Sequence, residues 1–201
     1  MSADSRKIIE LPEPMTSGAI SLEETIARRR SVRSYLPTEL TAAELGQILW
    51  AAQGLTDERY AFRAAPSAGA LYPLEIYVLQ SSGVFHYLPM RHALEQLSEE
   101  DLRAELAVVA LGQEFVAQAP LDIVIAANYA RTAAKYGPRA ELYVHMEMGH
   151  VGQNIHLQAV ALGLDSVAVG AFHHDRAARP LPALKGSEPR YIISVGHASS
   201  G

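Results

Sequence analysis

The sequence contains no cysteine, which excludes a disulfide framework, a thiolate zinc site and a catalytic thiol. No apolar run approaches the roughly 20 residues that a membrane-spanning helix requires. Met1 to Pro14 is polar and carries prolines, without the apolar centre of a signal peptide. Basic charge is in deficit: 17 Lys and Arg stand against 22 Asp and Glu, a formal net charge of -5. That balance argues against a general nucleic-acid surface. Gly-x-Gly-x-x-Gly, the P-loop pattern, Gly-x-Ser-x-Gly and His-Glu-x-x-His are all missing. A Rossmann dinucleotide site, a P-loop, a hydrolase elbow and a zincin site therefore lack support. Together these features lead us to expect a soluble cytoplasmic protein.

Eight histidines are present, but they do not fall at ligand spacing. His145, His150 and His156 lie five and six residues apart on one helical stretch, and at about 100° per residue they face different ways. His173-His174 has no partner at ligand spacing. A catalytic metal is not expected.

The rest is the composition of a globular chain, with 49% apolar and 19% charged residues over 201 positions. Residues 1–20 carry Pro12, Pro14 and Gly18 and read as an extended arm; residues 21–201 read as one domain without an internal repeat. Ser21-Leu22-Glu23-Glu24 and Thr41-Ala42-Ala43-Glu44 have the form of capping boxes. Each opens a helix, the first with Leu22 and Ile26 on one face, the second with Leu45, Ile48, Leu49 and Ala52 inward and a stop at Gly54. Residues 55–73 read as a loop. Leu74 to Gln80 reads as a strand with a hairpin partner from Val84 to Leu88. Ser98 to Asp101 is expected to open a helix that turns Leu102, Leu106 and Val109 inward. Leu121 to Ala127 reads as a buried strand, and residues 128–140 as a polar connector. Glu141 to Leu162 is the longest helical stretch. Gly149 and Gly152 inside it suggest close packing of another backbone, either across a symmetric dimer or within the chain. Ser166 to Ala171 is a short strand or loop, Phe172 to Pro189 a loop with three prolines, and Tyr191 to Val195 the last strand. The one tryptophan, Trp50, reads as core or interface packing.

Three groups of residues carry candidate chemistry. Arg28-Arg29-Arg30-Ser31-Val32-Arg33 concentrates guanidinium groups and a hydroxyl on an acidic protein. Guanidinium forks fit phosphate oxygens; the plainer alternative is a solvated helix end. Ala65-Pro66-Ser67-Ala68-Gly69-Ala70-Leu71-Tyr72-Pro73 is rich in small residues that allow a backbone to approach a flat ligand, and equally suit a turn. Lys135-Tyr136 can move a proton if both are partly desolvated; otherwise it is an exposed loop pair.

The order of these pieces resembles the nitroreductase-like flavoproteins, and within them the SagB-type dehydrogenases. The resemblance runs from about Ile8 to His197. It rests on Leu11-Pro12-Glu13-Pro14, the arginine cluster, Ala65 to Glu75, Lys135-Tyr136, Gly149-His150-Val151-Gly152-Gln153-Asn154, Val167 to Phe172 and Tyr191 to His197. It implies an α+β fold, a mainly antiparallel central sheet wrapped by helices, in an intertwined homodimer with FMN at the interface. It further implies that Arg29, Ser31 and Arg33, with Arg30 nearby, hold the FMN phosphate and ring edge. Pro66, Ser67, Ala68, Gly69, Ala70 and Leu71 of the second subunit would line the isoalloxazine, and the backbone of Val169 and Gly170 would face its reactive edge. Lys135 and Tyr136 match the pair near the substrate side in azoline dehydrogenases. The implied activity is oxidation of peptide azolines to azoles, or reduction of nitro compounds or quinones with NAD(P)H. The alternative is a flavin-binding module or partner subunit without turnover. The run Gly196 to Gly201 lacks the basic pair that grips the phosphate in many nitroreductases, and the extra N-terminal domain of many peptide-modifying dehydrogenases has no counterpart in the sequence.

Overall fold

The structure is a computed structural model describing residues 6–174, 176–181, 184 and 186–199. Residues 1–5 of the expected arm, Pro182 of the expected loop and the terminal Ser200-Gly201 lie outside the described residues.

Alternation along two apolar strands explains the architecture. In β4 (Leu74–Gln80), Ile76 and Val78 point to one side and Tyr77 and Leu79 to the other, and all four are buried. In β7 (Leu121–Ala127) every residue is buried. Strands without a polar face need cover on both sides, and they receive it. On one side Ile76, Val78, Ile123 and Ile125 pack with Ile48 and Leu49 of α2 (Ala42–Gln53) and with Val144, Val151 and Ile155 of α6 (Ala140–Ala161). On the other, Tyr77, Leu79, Val124 and Ala126 meet Leu106 and Val109 of α3 (Arg103–Val109), Val116 of α4 (Glu114–Gln118), and Phe172.

The seven strands of the sheet run β1-β6-β5-β4-β7-β9-β8, and each neighbouring pair is antiparallel. Here β1 is Ile8–Glu10, β5 Gly83–Leu88, β6 Ala93–Ser98, β8 Asp165–Val169 and β9 Glu188–Gly196. Thus part of the N-terminal arm is an edge strand, paired with β6. The fold is the expected α+β arrangement with a mainly antiparallel sheet. No helix among the described residues is long and apolar enough to cross a membrane.

Several local expectations are corrected. Residues 55–73 contain a small hairpin, β2 (Leu55–Asp57) with β3 (Phe62–Arg63), and a 3-10 turn at Ala68–Ala70. Ser98 ends β6, and α3 begins only at Arg103, whose amide is held by Asp101 at 3.2 Å. The polar connector is the helix α5 (Tyr129–Tyr136), capped by the Asn128 side chain on the Arg131 amide, followed by a 3-10 turn. At α1 (Leu22–Arg28) the Ser21 hydroxyl does cap the Glu24 amide, but the Glu24 carboxylate pairs with Arg28 and does not close a capping box. The Thr41–Glu44 box is complete. Leu22 and Ile26 share a face, yet that face is exposed.

The two helical glycines of α6 have different surroundings. A Cβ at Gly152 would lie 3.0 Å from the Tyr191 ring on β9, whereas a Cβ at Gly149 would meet nothing within 4 Å. The intrachain crossing therefore accounts for Gly152 alone. Gly152→Val is expected to destabilise the fold by about 1–3 kcal/mol through overpacking, read as a lower urea midpoint.

Candidate functional site

The arginine cluster sorts into engaged and free cations. Arg28 pairs with Glu24 one turn back at 2.8 Å. Arg30 folds onto the carbonyls of Ala27 and Arg29, at 3.0 and 2.7 Å, and so neutralises the helix end. Arg29, Ser31 and Arg33 have no side-chain hydrogen bond among the described residues; Arg33 only rests over the Phe115 ring. A β-bridge from Ser31 to Ser166, with the Val32 amide on the Ser166 carbonyl at 3.2 Å, ties this run to β8. Behind it, buried His156 of α6 meets the Ser166 hydroxyl at 2.6 Å. Burial, and then the Arg29 charge, push this imidazole down to about 4. At neutral pH the cluster is thus backed by an uncharged ring.

The far end of β8 carries Val169 and Gly170. Val169 is buried; Gly170 is exposed, and a Cβ there would meet nothing within 4 Å. At about 3.3 Å per residue, Gly170 lies on the order of 13 Å from Ser166. The segment after it is pinned by Gln113, whose side-chain amide donates to the Ala171 carbonyl at 3.3 Å. Gln113 carried no signal in the sequence.

The second group forms around the 66–72 run. Pro66, Ser67, Ala68, Gly69, Ala70 and Leu71 make a compact turn in which Gly69, Ala70 and then Tyr72 have φ of 63°, 54° and 46°. The Ser67 hydroxyl accepts the Tyr72 amide at 2.9 Å. A Cβ at Gly69 would lie 2.8 Å from both Lys135 Nζ and Tyr136 Oη. A side chain there would have to displace both tips, and the φ of 63° itself favours glycine, so the two polar tips converge on bare backbone. Lys135 is exposed and Tyr136 half-buried, edge-on to Tyr143. Both sit on α5, so the pair is not on a loop.

Beneath this turn lies Glu147 of α6, 2% exposed. Gln53 donates to its carboxyl at 3.5 Å, and the Ser67 hydroxyl is within reach. Burial raises its pKa to about 7, against the lowering pull of Ser67, Gln53, Arg63 and Arg131. Sequence reasoning missed Glu147 as a site residue because only its burial distinguishes it.

One chain therefore holds two groups of candidate residues. Arg29, Ser31 and Arg33 stand at the start of β8 and Val169 and Gly170 at its far end; the Pro66 to Leu71 turn meets Lys135 and Tyr136 at Gly69. Glu147 and His156, which back the two groups, are nine positions apart on α6, about 13.5 Å along its axis. Between α1, α2 and α6 opens a cavity of about 690 Å³, walled by Leu22, Thr25, Trp50, Ala64 and Asn154 among others. Trp50 is half-buried and donates its indole N–H to the Leu55 carbonyl at 3.0 Å, a packing role.

Residues 26–197 match the Nitroreductase family. The chain belongs to that family. A protein of Methanocaldococcus jannaschii provisionally named a nitroreductase is 48% identical over 183 residues, covering 88% of this chain and 91% of that one. A crystal structure from Ralstonia eutropha, also provisionally named a nitroreductase, has a TM-score of 0.88 at 31% identity and covers 100% of this chain and 93% of that one. The trifolitoxin-processing protein TfxB of Rhizobium leguminosarum is 27% identical over 82% of this chain, which spans 49% of TfxB. An NADPH:FMN oxidoreductase of Vibrio harveyi shares the fold, with a TM-score of 0.66 at 22% identity over 89% of this chain and 69% of that one.

The two buried titrating groups pull stability in opposite directions. Glu147 has a folded pKa above its ordinary 4.5, so the folded state holds a proton that the unfolded chain has released. Its stabilisation is full below about 4.5 and is lost as pH rises towards 7. His156 has a folded value below its ordinary 6.5, so its contribution is present above that value and lost as pH falls towards 4. Glu147→Gln should remove only the first effect. Relative to the parent, the variant is expected to gain roughly 1–3 kcal/mol between pH 4.5 and pH 7.5, measured by denaturant unfolding at several pH values; a constant difference across that range would contradict the assignment.

Proposed function

We propose that the protein is an FMN-dependent oxidoreductase that works as a homodimer in the cytoplasm and takes reducing equivalents from NAD(P)H. The observation that carries this reading is the division of the arginine cluster. Arg28 and Arg30 are consumed locally, whereas Arg29, Ser31 and Arg33 present unpaired donors at one end of β8. These donors fit a phosphate monoester, the forks taking two oxygens and the hydroxyl a third. The bare Gly170 at the other end of the strand fits the approach of a flat ring system. Family membership and the similarity to an NADPH:FMN oxidoreductase support the same cofactor.

Arg29, Ser31 and Arg33 would hold the phosphate, and the backbone of Val169 and Gly170 would face the ring. Pro66 to Leu71 of the other subunit would close over it. When bound, FMN supplies hydride transfer at N5, which is chemistry no side chain of this protein can perform. The chain's own task is to bind, orient and handle protons. Lys135 Nζ and Tyr136 Oη, gathered at Gly69, would take the proton that leaves the substrate when a hydride is removed, or return one when a nitro group or quinone is reduced. The similarity to a trifolitoxin-processing protein favours a peptide azoline as one substrate class; the relatives named as nitroreductases favour nitro compounds or quinones.

A dimer is supported by surface that this chain leaves uncovered. Leu142 and Met146 on α6 are 55% and 52% exposed, a turn before the open Gly149, and Leu22 and Ile26 on α1 are 61% and 56% exposed. Purified protein is expected to be yellow with one FMN per chain, and to sediment as a dimer. Arg29→Ala should weaken FMN binding roughly tenfold to a hundredfold, as loss of a charge-assisted contact predicts, in a fluorescence titration. Lys135→Met should retain FMN yet slow turnover with NADH or NADPH and a quinone by roughly a hundredfold, leaving a measurable residual rate. Colourless protein that fails to take up added FMN would sink this reading.

A further inference from the structure

Glu75 closes the loop motif Leu71-Tyr72-Pro73-Leu74-Glu75, yet neither group of candidate residues uses it directly. It is the second residue of β4, and both of its oxygens are engaged. Oε1 accepts from Arg131 Nη2 at 2.7 Å, and Oε2 meets His86 Nε2 at 2.9 Å. His86 is buried on β5, stacked on Tyr77, with its other nitrogen 3.8 Å from Glu95. Burial raises the Glu75 pKa, but the hydrogen bonds from His86 and Arg131 outweigh it, and the group is held below its ordinary value as a carboxylate. The second nitrogen of Arg131 donates to the Tyr72 carbonyl.

Arg131 lies in the first turn of α5. Lys135 is four residues on, and residues so spaced share a helix face. This helix has only eight residues, and Thr132 is its one buried side chain. A helix so short is marginal alone; Tyr129 packs partly against the main core and the Tyr136 ring lies edge-on to Tyr143 of α6. Polar contacts add to this seating. Asn128 caps it, Tyr129 meets His145 at 2.9 Å and Arg190 at 3.2 Å, and Arg131 reaches both Glu75 and Tyr72. Of the side chains of α5, Arg131 reaches the turn that contains Gly69 by hydrogen bond, and the Asn128 amide at the N-cap also donates to the Pro73 carbonyl at 2.9 Å.

We propose that Glu75 is a positioning residue: through Arg131 it clasps α5 to β4 and to the Tyr72 carbonyl, and so aims Lys135 and Tyr136 at the Gly69 backbone. The inference rests on the proposed function for what that aim accomplishes, but its geometry does not depend on a bound flavin. His86 braces the clasp from behind, holding Oε2 of the carboxylate so that Oε1 faces Arg131. Glu75→Gln keeps the shape and removes the charge. Arg131→Lys keeps the charge but loses the fork that spans two acceptors.

The test has two arms. In the full-length chain without added FMN, nuclear Overhauser contacts should join Gly69 to the Lys135 side chain and the Tyr136 ring. Both Glu75→Gln and Arg131→Lys should lose these contacts while those between β4 and β7 persist. If Glu75→Gln does not fold, Arg131→Lys alone decides. In the FMN-loaded protein, Glu75→Gln should keep its flavin and its KM for the nicotinamide, while kcat falls about tenfold or more, the scale of a misplaced group. The double variant with Lys135→Met should be no slower than Lys135→Met alone. Gly69 contacts that survive both substitutions would overturn the proposal. So would additive losses in the double variant. If the protein binds no FMN but the Gly69 contacts vanish as expected, the clasp stands and the flavin reading falls.

Discussion

The site's layout depends on the way α6 is buried. Its inward face, Val144, Met148, Val151, Ile155 and Ala159, lies against the sheet and α2. Two polar residues flank that face, Glu147 and His156, both below 10% exposed. Nine residues at about 100° each turn the helix by half a revolution beyond whole turns. The two groups therefore leave α6 on opposite flanks, one towards the 66–72 turn and one towards β8. Register on a single helix fixes how far apart the two groups of candidate residues stand, and the packed sheet beneath keeps that distance from varying.

Each buried group is also tuned by what surrounds it. Burial favours the uncharged form in both cases, raising the carboxyl and lowering the imidazole. For His156 the consequence is local and specific. A protonated ring beside Arg29 would add to the positive charge of the cluster and cost the desolvation of a cation; a neutral ring leaves the guanidinium forks as the donors. For Glu147 burial is opposed by Arg63 and Arg131, which also grip Tyr72, one by a ring contact at 4.5 Å and one at its carbonyl. Tyr72 and Ala70 stand in a left-handed conformation that L-residues avoid. Such a turn persists where the surroundings over-determine it, and here the hydroxyl of Ser67, two guanidinium groups and Glu147 do so.

Features encoded locally were legible in the sequence. The Thr41–Glu44 box, the alternation of β4, the β7 run, apolar except for Asp122, and the arginine cluster each depend on neighbours a few residues away. What was not legible depends on distant partners. Ala93–Ser98 contains Glu95 and Gln96 and has no apolar alternation strong enough to announce a strand, but β5 and β1 pair with it on both sides. The segment from Tyr129 to Tyr136 looks like a polar connector because its helix is held by side-chain hydrogen bonds and not by an apolar stripe. Leu22 and Ile26 were correctly placed on one face; that the face points outward is a property of tertiary packing, since only Thr25 of α1 is buried. Glu75 and Glu147 have ordinary sequence contexts, and only the assembled core sets them apart.

Exposed apolar side chains are common, and a few prove nothing by themselves. Those of α1 and α6 have a pattern, however. Leu142 and Met146 are four residues apart, Gly149 follows at the next helical step with open space where a side chain would go, and Leu22 and Ile26 repeat the four-residue spacing on α1. A glycine inside a helix costs about 1 kcal/mol relative to alanine, and at Gly152 the Tyr191 ring supplies the reason for that cost. At Gly149 the chain supplies none. The unpaired donors of Arg29, Ser31 and Arg33 pose the same question in polar form. A homodimer with a phosphate-bearing cofactor at its interface accounts for both with one assumption, because a second copy would cover the apolar stripe and close the second group of candidate residues over the first. Without it, the bare glycine, the uncovered helix faces and the idle guanidinium forks would each need a separate cause.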